Sequence, residues 1–254
     1  DLAQEHRKTN PEHALKLSHD AEDLARGLGD NAGISMAFTS TGITHAQNGS
    51  WVRALNFFLQ ALKLKEELGD QQGMAALLSN IGVVHGKLND EERALRYHLR
   101  AVRYFQLAKD RQGLAYSYNN IGVIYMDKGE YKEALENLLA SMELKKELRD
   151  IPGLASTHLN IGITYFMQNA IGRALESYQE SARLYESLGD KHGLAEAMQR
   201  IAALRLHEKD AAGAFDMGSR ALALAVETNS RVVERNALKI CADAKTAMGD
   251  PSAA

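Results

Sequence analysis

Cross-links, chain breakers and long apolar runs are what this sequence has least of. A single cysteine, Cys241, stands in 254 residues, so neither a disulfide framework nor a cysteine-based metal site can form within one chain. A reducing compartment suits such a chain, and the cytoplasm is its expected location. Prolines number 3, while Ala, Leu, Glu and Lys abound, which favours an all-α fold. The formal net charge is -3, so no basic field marks a nucleic-acid binder. No apolar run approaches the ~20 residues that a membrane span requires. There is no Walker loop, dinucleotide-type glycine pattern or HExxH segment, and no spacing sets a nucleophile beside a base. Neither a metal nor another cofactor is expected, and the chain does not read as an enzyme. It begins at Asp1 with no signal-peptide pattern after it, and so reads as a piece of a longer protein.

What the sequence does have is a period. Asp30, Asp70, Asp110, Asp150 and Asp190 are spaced by 40, as are Gly33, Gly73, Gly113, Gly153 and Gly193. Gly42, Gly82, Gly122 and Gly162 keep the same step, with Ala202 continuing it, and Ala54-Leu55 recurs as Ala94-Leu95, Ala134-Leu135 and Ala174-Leu175. Internal recurrence at such a period marks a repeat architecture.

Each cycle divides into two helical halves. Between Asp110 and Arg149, Tyr118, Ile121, Gly122 and Tyr125 share a face of the first half, and Ala134, Leu135, Leu138, Ser141, Met142 and Leu148 share a face of the second. Asp110 is an N-cap candidate, and Gly129 suits a left-handed C-terminal residue. Asn10-Pro11 and Asp250-Pro251 pair a cap with proline at the first helical position. Helices are expected over roughly 11–28, 31–47, 51–68, 71–87, 91–108, 111–127, 131–148, 151–167, 171–188, 191–207, 211–228 and 231–248. Residues 1–8 read as the end of a further helix. Gly82, Gly122 and Gly162 fall in mid-helix, where Gly costs roughly 1 kcal/mol relative to Ala. That implies close approach of another helix backbone, with Ala94, Ala134 and Ala174 as the expected partners.

These residues resemble the tetratricopeptide repeat. The pattern of a large residue, Leu-Gly and Tyr, then Ala, an aromatic and Ala, is met by Tyr118, Ile121-Gly122, Tyr125, Ala134, Leu138 and Ser141. Phe38, Thr41-Gly42, His45, Ala54, Phe58 and Ala61 meet it again. The family's Pro is replaced by Glu66, Lys146 and Glu186, and in the last full unit Ala202, Arg205 and Phe215 depart from the pattern. The longer repeat resembles those of kinesin light chain, LGN, Rap-type peptide receptors and bacterial signalling arrays. The resemblance implies one right-handed superhelical solenoid of antiparallel helix pairs over 1–254, with units near 1–29, 30–69, 70–109, 110–149, 150–189 and 190–229 and a partial unit at 230–254. It also implies that first helices line a concave face that takes a protein or peptide segment, either as a scaffold or as the sensory part of a larger signalling protein.

Each first helix carries a second stripe at i, i+4, i+7, i+11: Ala76, Asn80, Val83 and Lys87, then Tyr116, Asn120, Val123 and Asp127. The later units give Ser156, Asn160, Ile163 and Met167, then Glu196, Arg200, Ala203 and His207. Asn80, Asn120 and Asn160 form the sharpest set, because an amide both donates and accepts and so can pair with an extended peptide backbone. The family places peptide-contacting Asn there. The alternative is that these amides satisfy neighbouring helix ends. Tyr116, Val123, Met126, Ile163, Phe166 and Met167 offer apolar lining, or else belong to the packing core. Arg200 suits a carboxylate or phosphate, or pairs with Glu196 at i, i+4.

His45, His85 and His98 read as core histidines. The charged runs Lys63 to Glu67 and Lys145 to Glu147 read as solvated outer faces. Apolar end helices are a further place for self-association.

Overall fold

The computed structural model describes residues 10–249. Within them lie α1 (Pro11–Leu28), α2 (Asn31–Gln47), α3 (Trp51–Glu67), α4 (Gln71–Lys87), α5 (Glu91–Leu107) and α6 (Arg111–Asp127). There follow α7 (Tyr131–Leu148), α8 (Ile151–Met167), α9 (Ile171–Leu188), α10 (Lys191–His207), α11 (Ala211–Glu227) and α12 (Arg231–Ala247). The fold is an all-α repeat of helix pairs. Every helix expected between residues 11 and 248 is present, and α3, α5, α11 and α12 end one residue early. The expected helix over 1–8 and the cap at Asp250-Pro251 lie outside the described residues.

The repeated aspartates start the helices. The side-chain Oδ1 of Asp30, Asp70, Asp110, Asp150 and Asp190 accepts the amide of the glycine three residues on, at 2.9–3.0 Å. Each bond satisfies one of the amides a helix start leaves open. Gly29 and Gly189 end their helices at φ 67° and 66°, a conformation that costs glycine little. At the same place in their repeats Lys109 and Arg149 hold φ 55°.

The chain forms two compact units that divide after Ile124. In the first, Phe38, Phe58, Leu77, Leu78, Ile81 and Phe105 anchor a continuous core between successive helices. In the second, Leu159, Tyr178, Ile201 and Leu204 do the same for α8, α9 and α10. Here the first helices of consecutive repeats also touch directly, α8 on α10 and α10 on α12.

The mid-helix glycines have a different partner from the expected one. A Cβ on Gly82 would stand 2.8 Å from the His98 ring, and one on Gly162 would stand 2.5 Å from the Tyr178 ring. Glycine is therefore required by an aromatic side chain of the second helix, not by a backbone at Ala94 or Ala174. Close backbone approach occurs elsewhere, at paired small residues. Ser35 Oγ donates to the Ala61 carbonyl at 3.1 Å, and Ser181 Oγ to the Ala155 carbonyl at 2.8 Å.

The charged run at 145–147 is also corrected. Lys145 is only 2% exposed, and its Nζ donates to Thr157 Oγ1 at 2.8 Å and to the Gly153 carbonyl at 3.3 Å. Leu148, expected on the buried face, is exposed. In the run at 63–67, Lys65 is mostly buried and binds the Asp70 carboxylate at 2.7 Å, and that bond and the Gly73 amide hold the carboxyl below its ordinary pKa.

Candidate functional site

The second stripe of the first helices faces clefts in the first unit. One of about 520 Å³ lies between α1 and α2 and is bordered by Leu24, Leu28 and Met36, all well exposed. A second of about 270 Å³ is bounded by Met36, Ser40, Ile43, Ala76 and the stem of Lys65. A third of about 290 Å³ is enclosed by Ile43, Ala46, Trp51, Phe58, Asn80 and Val83. Asn80 is partly buried at the edge of this third cleft, and among the described residues no hydrogen bond occupies its amide. The geometry gives an apolar recess with a two-way hydrogen-bonding group beside it, the chemistry that suits a peptide side chain and its adjoining backbone.

Asn120 and Asn160 are partly buried as well, and Asn160 already engages other groups. Tyr116 is 45% exposed and Met167 56% exposed, so both present apolar surface to solvent. Val123 and Met126 are half-buried. Ile163 and Phe166 pack against the Leu159–Tyr178 core, and Phe166 meets the His207 ring edge-on at 5.6 Å. In the same unit, Arg200 reaches Glu196 only at 3.8 Å, and its Nε is buried without a hydrogen bond.

Sequence reasoning missed the lower part of the first unit's surface. Met36, Ser40, Ile43 and Gln47 of α2 keep the same register as Ala76, Asn80, Val83 and Lys87 of α4, and that register was the available signal. Trp51 was missed because it opens α3, outside any first helix.

The histidines belong to the packing. His45 stacks on Phe57 at 5.5 Å and His85 on Tyr97 at 5.3 Å. Burial lowers the pKa of both, helped by Arg53 at His45 and opposed by Asp90 at His85. His98 is enclosed, and burial brings its pKa to about 4. Among the described residues no group of three His, Cys, Asp or Glu side chains converges, and no helix is long and apolar enough to cross a membrane.

Comparison with known proteins identifies the repeat. The sequence profile of the tetratricopeptide repeat matches residues 113–187. No curated protein matches the chain in sequence. Among solved structures, BtubC (BKLC) from P. vanneervenii is similar at 16% identity and a TM-score of 0.75, over 87% of this chain and 92% of that one. A Rap protein complexed with competence and sporulation factor is similar at 14% identity and a TM-score of 0.71, over 88% of this chain and 61% of that one. A signal transduction ATPase with numerous domains from Pyrococcus horikoshii, which carries a tetratricopeptide repeat sensor, is similar at 16% identity and a TM-score of 0.75. That match covers 92% of this chain and 37% of the ATPase. At these identities the likeness is one of fold. Residues 113–187 thus carry the tetratricopeptide repeat, and its 40-residue step continues on either side of them.

Proposed function

We propose that the first helices of this chain capture an extended segment of a partner protein or peptide, and that the chain acts as a binding scaffold without chemistry of its own. The observation that carries this reading is Asn80, whose unoccupied amide borders the cleft formed by Ile43, Trp51 and Val83. Asn120 repeats the amide one unit on in α6, and in the second unit Asn160 and Arg200 hold the same register. Within the first unit the amides of Asn80 and Asn120 hold a ligand backbone and Tyr116 and Val123 select side chains, and within the second Asn160 and Arg200 do so with Met126, Ile163, Phe166 and Met167. Hydrogen bonds of this kind contribute roughly 0.5–1.5 kcal/mol each, so apolar contact supplies most of the selectivity.

An array of immobilised peptides, probed with the chain and with the Asn80→Ala/Asn120→Ala variant, tests the reading. The expected result is a set of peptides whose affinity falls about tenfold or more in the variant. A set that binds wild type and variant equally would refute it.

A second reading makes the chain the sensory part of a larger signalling protein. It is favoured by the similarity to the repeat sensor of the Pyrococcus horikoshii ATPase, of which this chain spans 37%. The full reading frame of the gene decides between a free scaffold and a sensor joined to an output domain.

A further inference from the structure

The outward faces of the second helices differ sharply in charge from one repeat to the next. On α5, Arg93, Arg96, Arg100 and Arg103 are all exposed. Their 3-4-3 spacing puts them on one face over about 15 Å of helix. At the same four places on α7 stand Glu133, Glu136, Ala140 and Glu143, with the three glutamates exposed. The corresponding places on α9 are mixed, and there Arg183 bonds Glu180 at 2.5 Å within the helix. On α5 and α7 the like charges are instead concentrated, which helices ordinarily avoid because like charges at i, i+4 are destabilising.

Part of this charge is already used. Arg93 reaches Asp90 at 3.3 Å and Arg100 reaches Glu66 at 3.7 Å, while Glu143 binds Lys146 at 2.9 Å. Arg96 and Arg103 have no ion pair among the described residues, and neither have Glu133 and Glu136. Beside each stripe lies a leucine in the same register, Leu99 at 44% exposure and Leu139 at 39%. Each helix therefore offers an exposed apolar residue flanked by charges of one sign.

We propose that the arginine face of α5 docks on the glutamate face of α7 of a second copy of this chain. Three of the four arginines find a glutamate at matching spacing, because both helices use the same 3-4-3 places. Run parallel, the helices set Arg93, Arg96 and Arg103 against Glu133, Glu136 and Glu143 and leave Arg100, which has Glu66, opposite Ala140. Leu99 and Leu139 then share the centre. Helix-on-helix contact of this size falls in the transient class of interfaces, below about 1,200 Å², so the association is weak and steered by charge. It uses neither the Asn stripe nor the clefts, and so stands apart from peptide capture.

Sedimentation velocity on the whole chain tests the pairing. Wild type is expected to self-associate in about 0.02 M salt and to weaken tenfold or more in about 0.5 M salt, where the screening length shrinks severalfold. Arg96→Glu/Arg103→Glu and Glu133→Arg/Glu136→Arg are each expected to sediment as monomers with unchanged circular dichroism. An equimolar mixture of the two is expected to associate again, as is a chain carrying all four substitutions. A monomeric wild type in low salt, or one reversed face that leaves association intact, would overturn the proposal. So would binding of the monomeric chain to phosphatidylserine vesicles that Arg96→Glu/Arg103→Glu abolishes, since the occupant would then be an anionic surface.

Discussion

The His98 ring stands 2.8 Å from the point where a Cβ on Gly82 would lie, and its Nδ1 is buried with no hydrogen bond. The same seat one repeat earlier holds Phe58 over Gly42, a pairing with no polar atom to satisfy. The His98→Phe variant is therefore expected to be more stable at pH 7 by about 1 kcal/mol, the order of the penalty for a buried unsatisfied group.

Acid should reveal the same residue. Burial brings the His98 pKa down from 6.5 to about 4, so between those values the unfolded chain takes up a proton that the folded chain refuses. The unfolded state then binds more protons, and stability falls as pH drops through that window and levels off below it. The loss amounts to about 3 kcal/mol across the window at 1.36 kcal/mol per pH unit. Urea unfolding of wild type and His98→Phe at several pH values between 7 and 4 measures this. An equal decline in both chains would assign the acid sensitivity to other groups.

Two glycines in similar helices should respond oppositely to alanine. Gly86, near the end of α4, has nothing within 4 Å of the point where a Cβ would lie, so Gly86→Ala is expected to gain about 0.5–1 kcal/mol from helix propensity. Gly162 faces the Tyr178 ring, 2.5 Å from where the methyl would go, and Tyr178 is itself 2% exposed. The ring has no room to yield, so Gly162→Ala is expected to lose about 1–3 kcal/mol as an overpacked core. Thermal melts of the two variants suffice, and the same sign in both would contradict this packing.

The buried Lys145 gives a prediction on the alkaline side. Burial, opposed by Asp150, lowers its pKa from 10.5 to about 8. Between those values the folded chain has released a proton that the unfolded chain still holds, so stability rises as pH climbs from 8 towards 10.5. Lys145→Met removes the charge and keeps the stem. It is expected to be about 1 kcal/mol more stable at neutral pH, since a buried ion is expensive even when hydrogen-bonded, and to lose the alkaline rise. Denaturant melts at pH 7, 9 and 10 would show both effects, and an unstable Lys145→Met would mean that Thr157 and Gly153 compensate the charge in full.

Lys145 also shows where sequence reasoning stopped. The aspartate caps and the left-handed residues that end the second helices recur every 40 residues because each repeat needs the same backbone there, so helix limits were legible almost to the residue. The place held by Lys145 is filled by Ala25, Lys65, Phe105 and Tyr185 in other repeats, so the period did offer a signal of burial there, but a charge between Leu144 and Lys146 looked solvated. The amide stripe was legible as a spacing on a helix face. Trp51 was not, because its place in the cleft follows from how α3 packs across α2 and α4. Ile163 and Phe166 likewise read as lining, and only the packing of α8 against α9 and α10 shows how much of them is core.

The last turn of each second helix gives a prediction the repeat itself suggests. Gly29, Gly69 and Gly189 adopt φ of 66–67°, and Arg149 adopts φ 55° at the same place in its repeat. The left-handed region costs a residue with a Cβ roughly 1–2 kcal/mol. Glycine relieves that strain but gives the unfolded chain more freedom, which takes back roughly 0.4–1 kcal/mol. Arg149→Gly is therefore expected to raise stability by about 0.5–1 kcal/mol, while Gly189→Ala lowers it by a similar amount. Both residues are exposed, so lost packing does not confuse the comparison. Paired chemical denaturation of the two variants decides it, and a destabilised Arg149→Gly would show that the Arg149 side chain contributes more than its backbone strain costs.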